Sequence, residues 1–94
     1  MSRPFVGTTT VSSAGTRVQL SNTVDRVLGY NIKALAGNGN KVYFGTSNVS
    51  ATNGYELSAG NTITREYRNS VKISSFYVDS ATNGDKICWE FELE

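Results

Sequence analysis

The sequence predicts an all-β protein, a single-domain β-sandwich (jelly-roll-like) or a small barrel of seven to eight short antiparallel strands. Three observations lead there. Apolar residues recur at every second position, most clearly in "KICWEFELE", where Ile87, Trp89, Phe91 and Leu93 face one way and Cys88, Glu90, Glu92 and Glu94 the other. Clusters of Ser, Thr, Asn and Gly interrupt these runs at spacings of about ten residues, the rhythm of short strands joined by turns. No stretch carries a helical apolar period with capping residues at its ends.

The elements follow in order. "FVGTTTV" (Phe5–Val11) is the first expected strand, and the only proline, Pro4, stands just ahead of it, where a missing N–H costs no ladder bond. Residues 1–14 form an N-terminal arm or first strand, and residues 15–94 form the sandwich. "TRVQL" (Thr16–Leu20) follows, and then "GYNIKAL", which alternates through Tyr30, Ile32 and Ala34. "AGNGN" (Ala36–Asn40) predicts a hairpin into "KVYFG", because Asn and Gly both tolerate positive φ. "NTITREY" (Asn61–Tyr67) and "VKISSFYVD" (Val71–Asp79) complete the set before the final strand. In "VKISSFYVD" the apolar parity slips between Ile73 and Phe76, which predicts a bulge around Ser74–Ser75.

The pentapeptide "SATNG" occurs twice, at Ser50–Gly54 and Ser80–Gly84. A tandem repeat would match in its flanks as well, and these do not: "YFGTSNV" precedes one copy and "ISSFYVD" the other. Ser, Thr and Asn bond nearby backbone and Asn-Gly supplies left-handed residues, so turn chemistry is the reading of both copies.

A chain of 94 residues is one domain. Charged residues at 18%, a net charge of +1 and aromatics at 11% argue against disorder and give little electrostatic drive toward nucleic acid. Cys88 stands alone, which rules out an intrachain disulfide framework. "MSRPFVGTTT" lacks the apolar stretch of a secretory signal, and no apolar run approaches the ~20 residues of a membrane span, so the chain is expected to be made in the cytoplasm and to have no membrane partner.

The chain contains no His, which removes Ser-His-Asp and Cys-His nucleophiles and the usual zinc ligands. No enzyme activity and no cofactor are expected, and Glu90, Glu92 and Glu94 read as a solvated strand face. "DSATNGDKICWE" places Asp79, Asn83, Gly84 and Glu90 at four positions of a calcium loop. Ala81 and Lys86 break that pattern, so no metal is expected. "REYRNSVK" gathers Arg65, Arg68 and Lys72 around Tyr67, yet the other basic residues are scattered, so this too reads as solvated strand rather than a nucleic-acid surface.

From Gly15 to Phe91 the order of motifs resembles a group of small structural proteins of tailed bacteriophages. The pieces that match are Gly15–Leu20, Ile32–Ala34, Val42–Ser50, Asn53–Gly60 and Ile73–Asp79. Two departures stand out: Gly29 and Tyr30 interrupt one strand motif, and the closing motif is stretched to "ISSFYVD". The resemblance implies a virion accessory made in the host cytoplasm, most directly a head decoration or cement protein on the capsid surface. Its implied partners are the major capsid protein lattice and itself, as a homotrimer on a local three-fold axis, and its expected shell contacts are Arg3, Pro4, Phe5 and Val6. The rival expectation is a carbohydrate- or receptor-binding module of a phage fibre, tail or neck, which would need exposed aromatics. Trp89 shares its parity with Ile87 and Phe91 and is therefore expected in the core.

Overall fold

The computed structural model describes residues 3–23 and 25–94, and they form two four-stranded antiparallel sheets. The strands are β1 (Arg3–Val11), β2 (Val18–Gln19), β3 (Arg26–Ala34), β4 (Val42–Gly45), β5 (Tyr55–Leu57), β6 (Thr62–Lys72), β7 (Tyr77–Ser80) and β8 (Asp85–Leu93). The first sheet has the order β1-β8-β3-β6 and the second β2-β7-β4-β5. Strand one pairs with strand eight, two with seven, three with six and four with five. The β3–β8 and β4–β7 contacts then fold that long ribbon back onto itself. This is the jelly-roll arrangement of a sandwich, with open edges rather than barrel closure.

Alternation places the core. In β8, Asp85, Ile87, Trp89, Phe91 and Leu93 are buried, while Lys86, Glu90 and Glu92 are exposed. Across the midplane Phe44 stacks on Phe76 and Phe76 on Phe91, with ring centroids 5.5 and 5.8 Å apart, and Tyr30 meets all three edge-on. Each such side chain contributes about 1.5–3 kcal/mol on burial.

The "AGNGN" segment departs from the expected hairpin. Strand β3 lies in the first sheet and β4 in the second, so residues 35–41 cross between sheets. None of Gly37, Asn38 and Gly39 has positive φ. The segment is tied instead to β8. Asn38 donates through Nδ2 to Lys86 O and accepts from Lys86 N, both at 2.8 Å, and the Asp85 carboxylate accepts from Gly39 N and Asn40 N at 2.8 and 3.1 Å.

The expected bulge around Ser74–Ser75 is a corner. Ile73–Ser75 form one 3₁₀ turn that carries the chain from β6 in the first sheet to β7 in the second, and the Phe76 N–H donates to Ile73 O at 3.0 Å. Residues three apart share one side of a 3₁₀ turn, so Ile73 and Phe76 both enter the core, and the period-2 parity breaks there.

Gly29 marks a true bulge in β3. Against β8, Val27 pairs with Leu93 and Gly29 with Glu92, leaving Leu28 extra. Against β6, Val27 pairs with Val71 and Gly29 with Glu66, so Tyr67–Ser70 all face Leu28. A Cβ on Gly29 would lie 2.8 Å from the Arg65 carbonyl oxygen, so glycine alone fits the close approach. The bulge flips the buried parity from Val27 to Tyr30, Ile32 and Ala34.

Candidate interaction surfaces

The four residues expected at the shell contact lie on β1, the edge strand of the first sheet, which pairs with β8 from Arg3↔Leu93 to Val11↔Asp85. Alternation separates them. Phe5 turns inward and packs on Trp89, with ring centroids 5.3 Å apart. Pro4 and Val6 point out of the sheet, and Val6 is 66% exposed. Arg3 is placed by its backbone pairing alone.

Beyond Val6, the outer face of this sheet is a polar grid set by the strand register. One row runs Val6, Glu90, Asn31, Thr64, and the next Thr8, Cys88, Lys33, Thr62. In the first row Thr64 Oγ1 donates to Asn31 Oδ1 at 2.6 Å, and Asn31 Nδ2 donates to Glu90 Oε1 at 3.0 Å. The Cys88 thiol is half-buried in the second. A third row, Pro4, Glu92, Gly29, Glu66, sinks into a shallow hollow of about 240 Å³ because Gly29 has no side chain to fill it. Along the face Glu66, Glu90 and Glu92 lie toward one end, with Arg26 and Lys72 beyond them, and Lys33 and Lys86 lie toward the other.

Trp89 is part of the core rather than of a surface. Its Nε1 donates to Thr9 Oγ1 at 2.9 Å, and that hydroxyl donates to Leu20 O at 3.0 Å, linking β8, β1 and the chain end of β2. The indole lies over Gly7, where a Cβ would come within 2.5 Å of Cζ2. The most exposed aromatic among the described residues is Tyr55, 65% exposed on β5, while Tyr43, Tyr67 and Tyr77 are half-buried. The Arg65 guanidinium lies 4.8 Å from the centre of the Tyr67 ring, and Tyr67 in turn stands 6.0 Å from Tyr30. Burial holds the Tyr30 phenol well above the ordinary tyrosine range, and the nearby Tyr67 pushes it the same way.

Other sequence features resolve into structure. Arg65 covers one face of the half-buried Tyr67, while Arg68 and Lys72 are exposed on edge strand β6. Asp79 is buried and its Oδ1 accepts from Gly15 N at 3.1 Å and Ser80 N at 2.7 Å. Glu90 stands on the outer face of the other sheet, so the residues of the calcium-loop spacing do not converge. Among the described residues, no group of acidic, Cys or His side chains is arranged to hold a metal. No helix there is long and apolar enough to cross a membrane.

Two features escaped the sequence. Strand β5 has only three residues, too few for a period to register. Asp85 is the other, a buried carboxylate that accepts from Gly39 N, Asn40 N and, at 2.8 Å, Ser80 Oγ. The signal for it was an acidic residue at a strand's inward-facing position, directly after the second "SATNG". A scan against protein-family models and a search of curated proteins both find no match for this chain.

Proposed function

We propose that this chain is a structural protein of a tailed-phage virion, a decoration or cement protein that binds the major capsid protein lattice on the outer head and stabilises the shell. The observation that carries the reading is the outer face of the first sheet. It is polar and hydrogen-bonded across its strands, and at its β1 margin the apolar side chains of Pro4 and Val6 stand outward. Such a face suits docking on a regular surface, where many weak contacts add up to durable attachment. Jelly rolls serve in viral capsids and in lectins alike, so the fold is compatible with this role without choosing it. In this reading Pro4 and Val6, with Arg3 beside them, touch the shell, while Phe5 acts indirectly by anchoring β1 on Trp89.

One observation favours the rival reading, a carbohydrate- or receptor-binding module: the exposed ring of Tyr55. Against it, Trp89, the strongest candidate for stacking on a sugar, is sealed in the core. Particles assembled without the protein decide between them. The decoration reading expects complete particles that lose resistance to heat or chelator. Particles of unchanged stability that fail to adsorb to cells would replace it with receptor binding.

A further inference from the structure

A sandwich has four open strand edges, and three of these are guarded. Strands β2 and β5 are two and three residues long, too short to template another chain. Strand β6 is long, but it carries Arg65, Glu66, Arg68 and Lys72 and is broken in register opposite Leu28. Charge and bulges are the usual devices against edge-to-edge pairing. Strand β1 has no bulge, and its one charged residue and its one proline, Arg3 and Pro4, stand together at its start. From Pro4 to Val11 it bears no charged side chain, it pairs with β8 in unbroken register, and its residues are mostly Thr and Val, which suit strands. Among the described residues, the only backbone hydrogen bond it makes outside its β8 ladder is at its far end, from Gly84 N to Val11 O.

We propose that β1 is a self-pairing edge, and that two copies of this chain join β1 to β1 antiparallel about a two-fold axis into one continuous eight-stranded sheet. An edge without charge from Pro4 to Val11 is complementary to itself over that length, and isologous two-fold contacts are the commonest in soluble oligomers. On β8, the strand next to this edge, the order of charges from Glu92 and Glu90 to Lys86 favours the antiparallel orientation. It sets the Glu90 and Glu92 end of one copy beside the Lys86 end of the other, whereas a parallel pair would put acid beside acid. Separated by several strands and screened by salt, these charges orient more than they hold. A three-fold ring would require β1 to mate with a different edge, and the only other long one is the guarded β6. Pairing brings Pro4 and Val6 of both copies to the middle of a doubled face. The inference stands on the edge alone and does not depend on the shell reading.

Light scattering of the full chain across a hundredfold concentration range tests it. The expected result is a species of twice the 10.2 kDa chain mass that dissociates on dilution. Val6→Lys and Thr8→Lys, both outward-facing on β1, should each raise the dissociation concentration at least tenfold with unchanged far-UV dichroism. Thr64→Lys on β6 should leave it as it is. Amide exchange in the unaltered protein gives a second readout, with β1 protection rising as the dimer forms. A wild-type chain that is monomeric throughout, a species of three times the chain mass, or a dimer indifferent to both β1 lysines would each overturn the proposal.

Discussion

Asp85 joins three parts of the chain at one buried side chain. Its buried carboxylate accepts from Gly39 N, Asn40 N and the Ser80 hydroxyl, and so ties the β3–β4 crossing and the end of β7 to β8. Truncating it removes the charged acceptor of all three at once, leaving the Gly39 and Asn40 N–H groups to water and the Ser80 hydroxyl to its longer bond to Lys41 O at 3.3 Å. Asp85→Ala is expected to lower unfolding free energy by about 3 kcal/mol in urea titration, and Asp85→Asn by less, because an amide oxygen still accepts. Gly7 answers to a different constraint. A Cβ there would meet the Trp89 indole at 2.5 Å, so Gly7→Ala should cost about 1–3 kcal/mol as overpacking, visible in the same titration and in an altered Trp89 emission spectrum. The sequence marks Asp85 only as an acid at an inward-facing strand position and does not mark Gly7, because both roles come from partners distant along the chain.

At the scale of elements, the two "SATNG" segments show how far local chemistry reaches. In both, the Thr N–H two residues on donates to the Ser hydroxyl, at 3.3 Å for Thr52 to Ser50 and 3.1 Å for Thr82 to Ser80, and both end on a glycine with positive φ. That much the pentapeptide specifies. It does not specify which strands are joined: the first copy lies in the hairpin between β4 and β5, and the second crosses from β7 to β8 in the other sheet. The glycines differ accordingly. A Cβ on Gly84 would have nothing within 4 Å, so Gly84→Ala should cost only the left-handed backbone penalty of about 1 kcal/mol. At Gly54 a Cβ would also strike Val49 Cγ2 at 2.7 Å, so Gly54→Ala should cost more, and paired urea melts of the two variants check the order. The Asn-Gly of the β3–β4 connection misled for the same reason, since the side chain of Asn38 is committed to Lys86 on β8. Tyr30 adds a pH dependence to β3. Its folded-state pKa lies above the unfolded value, so its stabilisation is intact below about pH 10 and declines as pH rises beyond that. Tyr30→Phe should flatten that alkaline decline in melts taken across pH 9–12 relative to the unaltered chain, a range set by the ordinary tyrosine value of about 10.

For the whole molecule, fold class was readable because burial on one face of each sheet writes a period of two into the strands, and β8 carries that signal without interruption. Strand order was not readable. It depends on which edges meet across the sandwich, and on a corner at Ile73–Ser75 that in sequence looks like a flaw in one strand. The interaction surface was half legible: the sequence drew attention to residues 3–6, and alternation within β1 then divided them, turning Phe5 to the core and Pro4 and Val6 outward. The proposed roles rest on two features of this jelly roll: a polar outer face, and an edge strand that carries no charge from Pro4 to Val11. The most direct measurement of the decoration role is co-sedimentation of the purified chain with shells stripped of their accessory proteins. A decoration protein should bind saturably at a fixed ratio to the major capsid subunit, and Val6→Lys should weaken the binding. Absence of binding to shells, together with capture on a glycan array that Tyr55→Ala abolishes, would contradict the decoration role.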